Sequence, residues 1–229
     1  MRRMLTRFIW LHGFASGPQS RKAVYVRGRL EALGVHLVVP DLNRPAFFDL
    51  TVTRMLRQID VLAQGERPVV LFGSSLGGFA AATWAATRPG RTAALVLLAP
   101  AFDLASRWAE GMQQDDLREW RRTGRRAFDH FAHGRKEELS SGFLDDAATH
   151  AAFPLPEAPT LVLQGTRDEV VAPALARGFT ARMAGRATLV ELDDEHELNC
   201  DLPRLWREME THLLAVLPGV TARGRPRST

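Results

Sequence analysis

The chain has 229 residues, 45% of them hydrophobic and 24% charged, proportions that exclude a disordered chain. A single cysteine, Cys200, excludes an internal disulfide framework, and no apolar run approaches the ~20 residues that span a bilayer. The formal charge is only +4, and arginine is dense only over 118–126 and 223–227, a small footprint that argues against a nucleic-acid partner.

The basic start is followed by the apolar stretch Phe8–Leu11, too short for a secretory signal, so a cytoplasmic protein with no membrane contact is expected. Phe8–Leu11 reads as a first strand, ending in the loop His12-Gly13-Phe14-Ala15-Ser16-Gly17-Pro18. Ala23, Val26, Leu30 and Leu33 recur at helical spacing up to Gly34, and Val35–Val39 is a second strand stopped by Pro40. Val52, Met55, Ile59 and Leu62 mark a second helix with Thr51 as its N-cap. Val69–Phe72 is a third strand broken by Gly73, Leu76–Thr87 an Ala/Gly-rich helix, and Leu95–Leu98 a fourth strand. Late in the chain come a strand at Thr160–Leu163, a helix at Pro173–Met183 and a strand at Thr188–Leu192. A last amphipathic helix, Asp201–Leu217, carries Leu202, Leu205, Met209 and Leu213.

The strands are continuously apolar rather than alternating, and helices separate them. Strands buried on both faces read this way, so a three-layer α/β fold is expected, a mostly parallel sheet with helices on both faces. The stretch 103–158 breaks the rhythm: it is arginine-rich yet carries Trp108, Met112, Trp120, Phe128, Phe131 and Phe143. It is too long for a structureless loop and reads as a small helical cap insertion over one edge of the sheet, anchored by its aromatics. The expected organisation is a core over 1–102 and 159–218, the cap over 103–158, and a flexible basic tail over 219–229.

Gly73-Ser74-Ser75-Leu76-Gly77 fits G-x-S-x-G, a pattern that chance alone would produce roughly 0.05 times in a chain of this composition. Here it follows an apolar strand and opens a small-residue helix, the setting of a nucleophile elbow. A serine hydroxyl needs a base to take its proton. Asp168 follows the Thr160–Leu163 strand and His196 the next one, giving the chain order Ser, Asp, His at strand ends, where the functional groups of parallel sheets gather. His196 is then the general base, and Asp168 orients and stabilises its imidazole. Asp103 also follows a strand and is a rival acid; Asp168 is preferred because Gly165–Val170 is a short turn suited to the role. An oxyanion hole requires two backbone N–H groups, expected from Leu76 and from Phe14 in the loop after the first strand. Phe14, Ala15 and Trp108 are candidate substrate contacts. His12 reads as a structural loop residue, and His130, His133, His150 and His212 show no metal spacing, so no metal is expected.

With these residues in place the chain resembles an α/β-hydrolase, and within that superfamily it is similar to the compact bacterial esterases of the YqiA/YcfP type. The resemblance is carried by Leu11–Ala23, Pro40-Asp41-Leu42-Asn43, Gly73–Gly78, Gly165–Val171 and the Glu195-His196 turn. It implies hydrolysis of a carboxylic ester through an acyl-serine, with no cofactor and a small-molecule ester as partner. It does not extend to 103–158, where substrate choice is expected to reside. Two alternatives stand beside it: a thioesterase, with Arg121, Arg122, Arg125 and Arg126 of the cap drawing phosphate-bearing thioesters, and a non-enzymatic binding protein on the same fold.

Overall fold

The computed structural model describes residues 6–217, so the tail expected over 219–229 lies outside the described residues. The elements run β1 (Phe8–Leu11), α1 (Arg21–Ala32), β2 (Leu37–Val38), α2 (Val52–Leu62), β3 (Val69–Ser74), α3 (Leu76–Ala86) and β4 (Thr92–Leu98). There follow α4 (Leu104–Gly111), α5 (Gln114–Thr123), β5 (Arg125–His130), β6 (Arg135–Ser140) and α6 (Gly142–Ala148). The chain then completes β7 (Thr160–Gly165), α7 (Pro173–Arg182), β8 (Ala187–Leu192) and α8 (Leu202–Val216).

Six strands form one parallel sheet in the order β2-β1-β3-β4-β7-β8. Its residues divide by parity. Ile9, Leu11, Leu71, Leu95, Leu97 and Val162 join the core under α2, α3 and α7, while Trp10, Val70, Phe72, Val96 and Leu163 join the core under α1 and α8. Both faces are dry, which is why the strands are apolar at every position rather than every second one.

Helix α3 takes this furthest: Leu76 to Ala85 are buried all round. A helix with no wet face has no use for amphipathic spacing, hence its alanines and glycines. The peripheral helices keep one wet side and their caps. Thr51 Oγ1 accepts from Arg54 N–H at 3.0 Å at the start of α2, and Asp201 caps α8 through Arg204 N–H at 2.8 Å. The second strand is shorter than the expected Val35–Val39. Val35 N–H closes α1 onto Leu30 O at 2.9 Å around Gly34, whose φ is 71°, and is lost to the sheet.

The stretch 103–158 is only partly helical, which corrects the sequence expectation. Between α5 and α6 it forms an antiparallel hairpin, β5 against β6. The hairpin escapes hydrophobic patterning because charge pairs, Arg125–Glu138 and Lys136–Asp129, dress its outer face. Inward its only apolar residues are Phe128 and Leu139, beside His130, Arg126 and Glu137. Trp120 is buried, with its indole N–H on Leu139 O at 3.0 Å, and its ring meets Trp108 and Phe128, so these aromatics do anchor the insertion. Phe131 does not: it is 81% exposed at the hairpin tip. The insertion docks on loops that follow the first two strands. Ala132 N–H donates to Ala15 O at 3.2 Å and Ser140 N–H to Phe48 O at 3.0 Å.

Among the described residues no helix is long and apolar enough to cross a membrane. Phe79, 1% exposed on α3, fills the core on the α2 side. Phe79→Ala is expected to lower the unfolding free energy by about 3–5 kcal/mol in urea titrations; a change under 1 kcal/mol would mean that this core is not closely packed.

Candidate active site

The order in which strands are added reverses between β1 and β3, and the crevice of a parallel sheet opens at such a point, beyond the carboxyl ends of the strands. Ser75 stands there, between the end of β3 and the start of α3. Its backbone is held at φ 52° and ψ −116°, a conformation that costs an L-residue about 1–3 kcal/mol. The surroundings enforce it. Ser75 N–H donates to Leu98 O at 2.8 Å, and Ser75 O accepts from Phe79 N–H at 3.0 Å and Ala101 N–H at 3.1 Å. A Cβ on Gly73 would collide with Gly77 O, and one on Gly77 with Leu11 O. The sharp turn therefore requires glycine at both flanks.

His196 Nε2 lies 3.0 Å from Ser75 Oγ, and His196 Nδ1 lies 2.9 Å from Asp168 Oδ2. The structure thus joins the three residues singled out in the sequence into one hydrogen-bonded chain. Asp168 Oδ1 accepts from Val170 N–H at 2.9 Å and Val171 N–H at 2.7 Å, while Oδ2 also accepts from the Gln164 amide at 2.8 Å. Burial alone would raise the Asp168 carboxyl; the hydrogen bonds from His196 and Val171 outweigh it and hold the group below the usual carboxylate range. With Asp168 ionised and accepting at Nδ1, the imidazole carries its proton there and offers Nε2 to the serine. Asp103, the rival acid, precedes α4 in a left-handed conformation, and its amide bonds Ala152 O.

Several positioning residues were not found from sequence. Asp194 shapes the loop that carries His196, accepting from Glu195 N–H at 2.8 Å and Cys200 N–H at 2.9 Å. The same carboxylate, hydrogen-bonded to the Cys200 thiol, pushes that thiol up, the opposite of an activated cysteine. Lys22 on α1 is buried, donates to Glu197 O and pairs with the Glu197 carboxylate at 3.6 Å. Gln164 is fully buried on β7. Each is a buried polar group in or beside a segment that matters; only Gln164 leaves a mark in the sequence, as a polar interruption of an apolar run, while Lys22 and Asp194 stand beside other charged residues.

The loop after β1 lies against the elbow: a Cβ on Gly13 would stand 3.4 Å from Ser75 Cβ. His12 fixes this loop. Leu42 N–H donates to its Nε2 at 2.9 Å, which places the ring proton on Nδ1, 2.9 Å from Gly13 O. Burial lowers the His12 pKa and keeps the ring neutral. Asn43 adds a hydrogen bond from its amide to Ser16 O at 2.8 Å. Leu76 N–H heads α3, where the first amides of a helix have no intrahelical acceptor and the dipole favours negative charge.

An open cavity of about 650 Å³ lies beside Phe14 and Val170, and its lining sets Trp108 and Phe128 among the charged Arg107, Asp116, Arg126 and Lys136. The Phe14 ring sits edge-on to Trp108 at 4.9 Å and to Phe128 at 5.4 Å. Ala15 is fully buried and does not line it.

Residues 7–210 match the family described as "Uncharacterised protein family (UPF0227)". The chain belongs to this family. It is the family toward which the YqiA/YcfP-type resemblance pointed. No curated protein matches the UPF0227 chain significantly. Its fold is that of the α/β-hydrolases. Alpha/beta hydrolase domain-containing protein 10 from mouse superposes with a TM-score of 0.75 at 21% identity, over 92% of this chain and 90% of that one. Est1E from Butyrivibrio proteoclasticus, with ferulic acid bound, gives 0.79 at 20% identity over 93% and 90%. Monoacylglycerol lipase from Paleococcus ferrophilus gives 0.63 at 20% identity over 94% and 95%.

The depressed carboxyl of Asp168 has a consequence for stability. A group whose folded pKa lies below its unfolded value of about 3.9 stabilises the fold above that value and loses the contribution as pH falls through the folded one. The stability advantage of wild type over Asp168→Asn should therefore shrink from pH 6 to pH 3 in urea unfolding. A constant difference would show that the carboxylate is not held in its ionised form.

Proposed function

We propose that this UPF0227 protein is a serine hydrolase that cleaves carboxylic esters of small to medium acyl chain. The observation that carries the reading is His196 standing between Ser75 Oγ and Asp168, at 3.0 Å from one and 2.9 Å from the other. Ser75 Oγ attacks the ester carbonyl while Nε2 takes its proton. Asp168, ionised and tied to Nδ1, stabilises the imidazolium so formed. The carbonyl oxygen gains negative charge and is received by the N–H groups of Leu76 and Phe14. As the tetrahedral centre collapses, Nε2 returns the proton to the leaving alcohol and an acyl-serine remains. Water then repeats the sequence, its proton passing to Nε2 and on to Ser75 as the acid departs.

The cavity beside Phe14 and Trp108 is the place for an acyl or alcohol group: Phe14, Trp108 and Phe128 can receive an apolar part, and Arg107, Arg126 and Lys136 a polar one. Three of the four cap arginines that would favour the thioester alternative are already engaged, all but Arg121. Arg122, Arg125 and Arg126 each pair with an acid: Glu119, Glu138 and Asp116. Two structures of the same fold, Est1E holding ferulic acid and the monoacylglycerol lipase of Paleococcus ferrophilus, support the ester reading as analogy.

The test is kcat/KM on p-nitrophenyl esters of increasing chain length, wild type beside Ser75→Ala, with labelling of folded protein by a serine-directed phosphonate. The wild type should show a chain-length optimum and be labelled at Ser75. Ser75→Ala should lose at least about 10⁴-fold in turnover. Turnover that survives Ser75→Ala, or folded wild type that resists both the esters and the phosphonate, would overturn the reading.

A further inference from the structure

The cap hairpin holds a cluster that the hydrolytic site does not use. At its tip, His133 N–H and Gly134 N–H both donate to His130 O, at 3.0 and 2.9 Å. This turn folds His133 back over His130, and the two imidazoles stack with centroids 3.8 Å apart and planes 8° from parallel. Glu137 lies directly across the strands from Phe128 and so shares the inward face of the hairpin with Phe128 and His130. One ring nitrogen from each histidine and one Glu137 oxygen all lie within 4.8 Å of one another.

We propose that His130, His133 and Glu137 bind one divalent first-row transition cation, Zn²⁺ foremost. His130 decides between this and an ordinary surface ion-pair network. Glu137 already accepts from His133 Nδ1 at 2.9 Å and from Arg135 Nε at 2.9 Å, which accounts for those two partners without a metal. It does not account for His130, which is 1% exposed and has no hydrogen-bond partner among the described residues at either ring nitrogen. A polar ring is not carried into such a place for packing alone, since a buried donor and acceptor left unmade are costly. Two neutral imidazoles and a carboxylate are a donor set that zinc accepts, with a fourth position for water, once the half-exposed His133 ring turns out of its parallel stack so that both lone pairs converge on one point. His133 and Glu137 also line an open cavity of about 800 Å³ together with Asp41, which gives the ion and its water a way in. The Arg135 side chain is 73% exposed, so it can release Glu137 to the ion without disturbing the core.

The sequence showed no metal pattern here because the third ligand sits seven residues beyond the first, across a turn that only the hairpin creates. The site is separate from the hydrolytic reading and does not depend on it. Its effect would be mechanical. The ion would cross-link both strands at the tip, where Ala132 N–H meets Ala15 O and where the His130 ring stands edge-on to Phe47 at 4.7 Å.

The experiment is a competition titration of chelator-stripped protein with Zn²⁺ against a chromophoric indicator, in a Cys200→Ser background to remove the thiol. Thermal melts and Co²⁺ absorption accompany it. The parent should bind one Zn²⁺ per chain, melt at a higher temperature with Zn²⁺ than without, and give the visible bands of a low-coordinate Co²⁺ site. His133→Ala and Glu137→Gln change exposed or half-buried groups and should fold without metal. Each should weaken binding by more than about tenfold, since even outer-sphere changes cost 10–100-fold at metal sites. Binding of parental strength in both His133→Ala and Glu137→Gln, or no stoichiometric Zn²⁺ in the parent, would overturn the proposal.

Discussion

The rest of the site depends on one backbone turn. Ser75 is held at positive φ between a strand and a helix that are buried at every residue but their last, and an L-residue stays there only when its neighbours leave no alternative. The neighbours are main chain: Leu98 O receives its amide, and the N–H groups of Phe79 and Ala101 take its carbonyl. Because β4 supplies Leu98 and the segment after it supplies Ala101, the turn is fixed by the same sheet that forms the core. Packing energy is thereby converted into the position of one hydroxyl.

The same principle governs the partners of Ser75. Buried polar side chains fasten the loops by bonding main-chain groups: His12 spans Leu42 and Gly13, Asn43 holds Ser16, Asp194 gathers Glu195 and Cys200, and Lys22 reaches Glu197. Each loop leaves the carboxyl end of a parallel strand and would otherwise be free to sample many conformations. A satisfied buried polar contact has few equivalent alternatives, so it specifies a geometry more sharply than apolar packing does. Asp168 shows the electrostatic counterpart, since the donors that orient it also keep it ionised where burial would neutralise it.

The core strands, the elbow and the order of Ser75, Asp168 and His196 were legible because each follows from a local rule: apolar runs buried on both faces, glycine where a turn leaves no room, and strand ends at one edge. The hairpin in the cap was not legible. Arg125–His130 and Arg135–Ser140 are held by register and cross-strand charge as much as by burial, and hydrophobic periodicity carries no record of either. Gln164 and Lys22 were missed for a related reason: a single polar residue within an apolar or amphipathic segment gives no hint of the distant main-chain or carboxylate group that it will meet. The shortened second strand belongs to the same class, its first amide having been taken by the helix before it.

The insertion touches the loop after β1 through Ala132 N–H and Ala15 O, a bond between peptide groups. Such a bond places no demand on which side chains stand at either end, and the neighbouring Phe131 projects into solvent. Cap residues that face the cavity without joining the aromatic anchor of Trp108, Trp120 and Phe128, such as Arg107 and Gln113, can therefore differ in size and polarity while the peptide contact persists. On the proposed hydrolytic reading, new substrate preferences can arise in the cap by ordinary point substitution, and the Ser75 site beneath it need not be re-evolved each time.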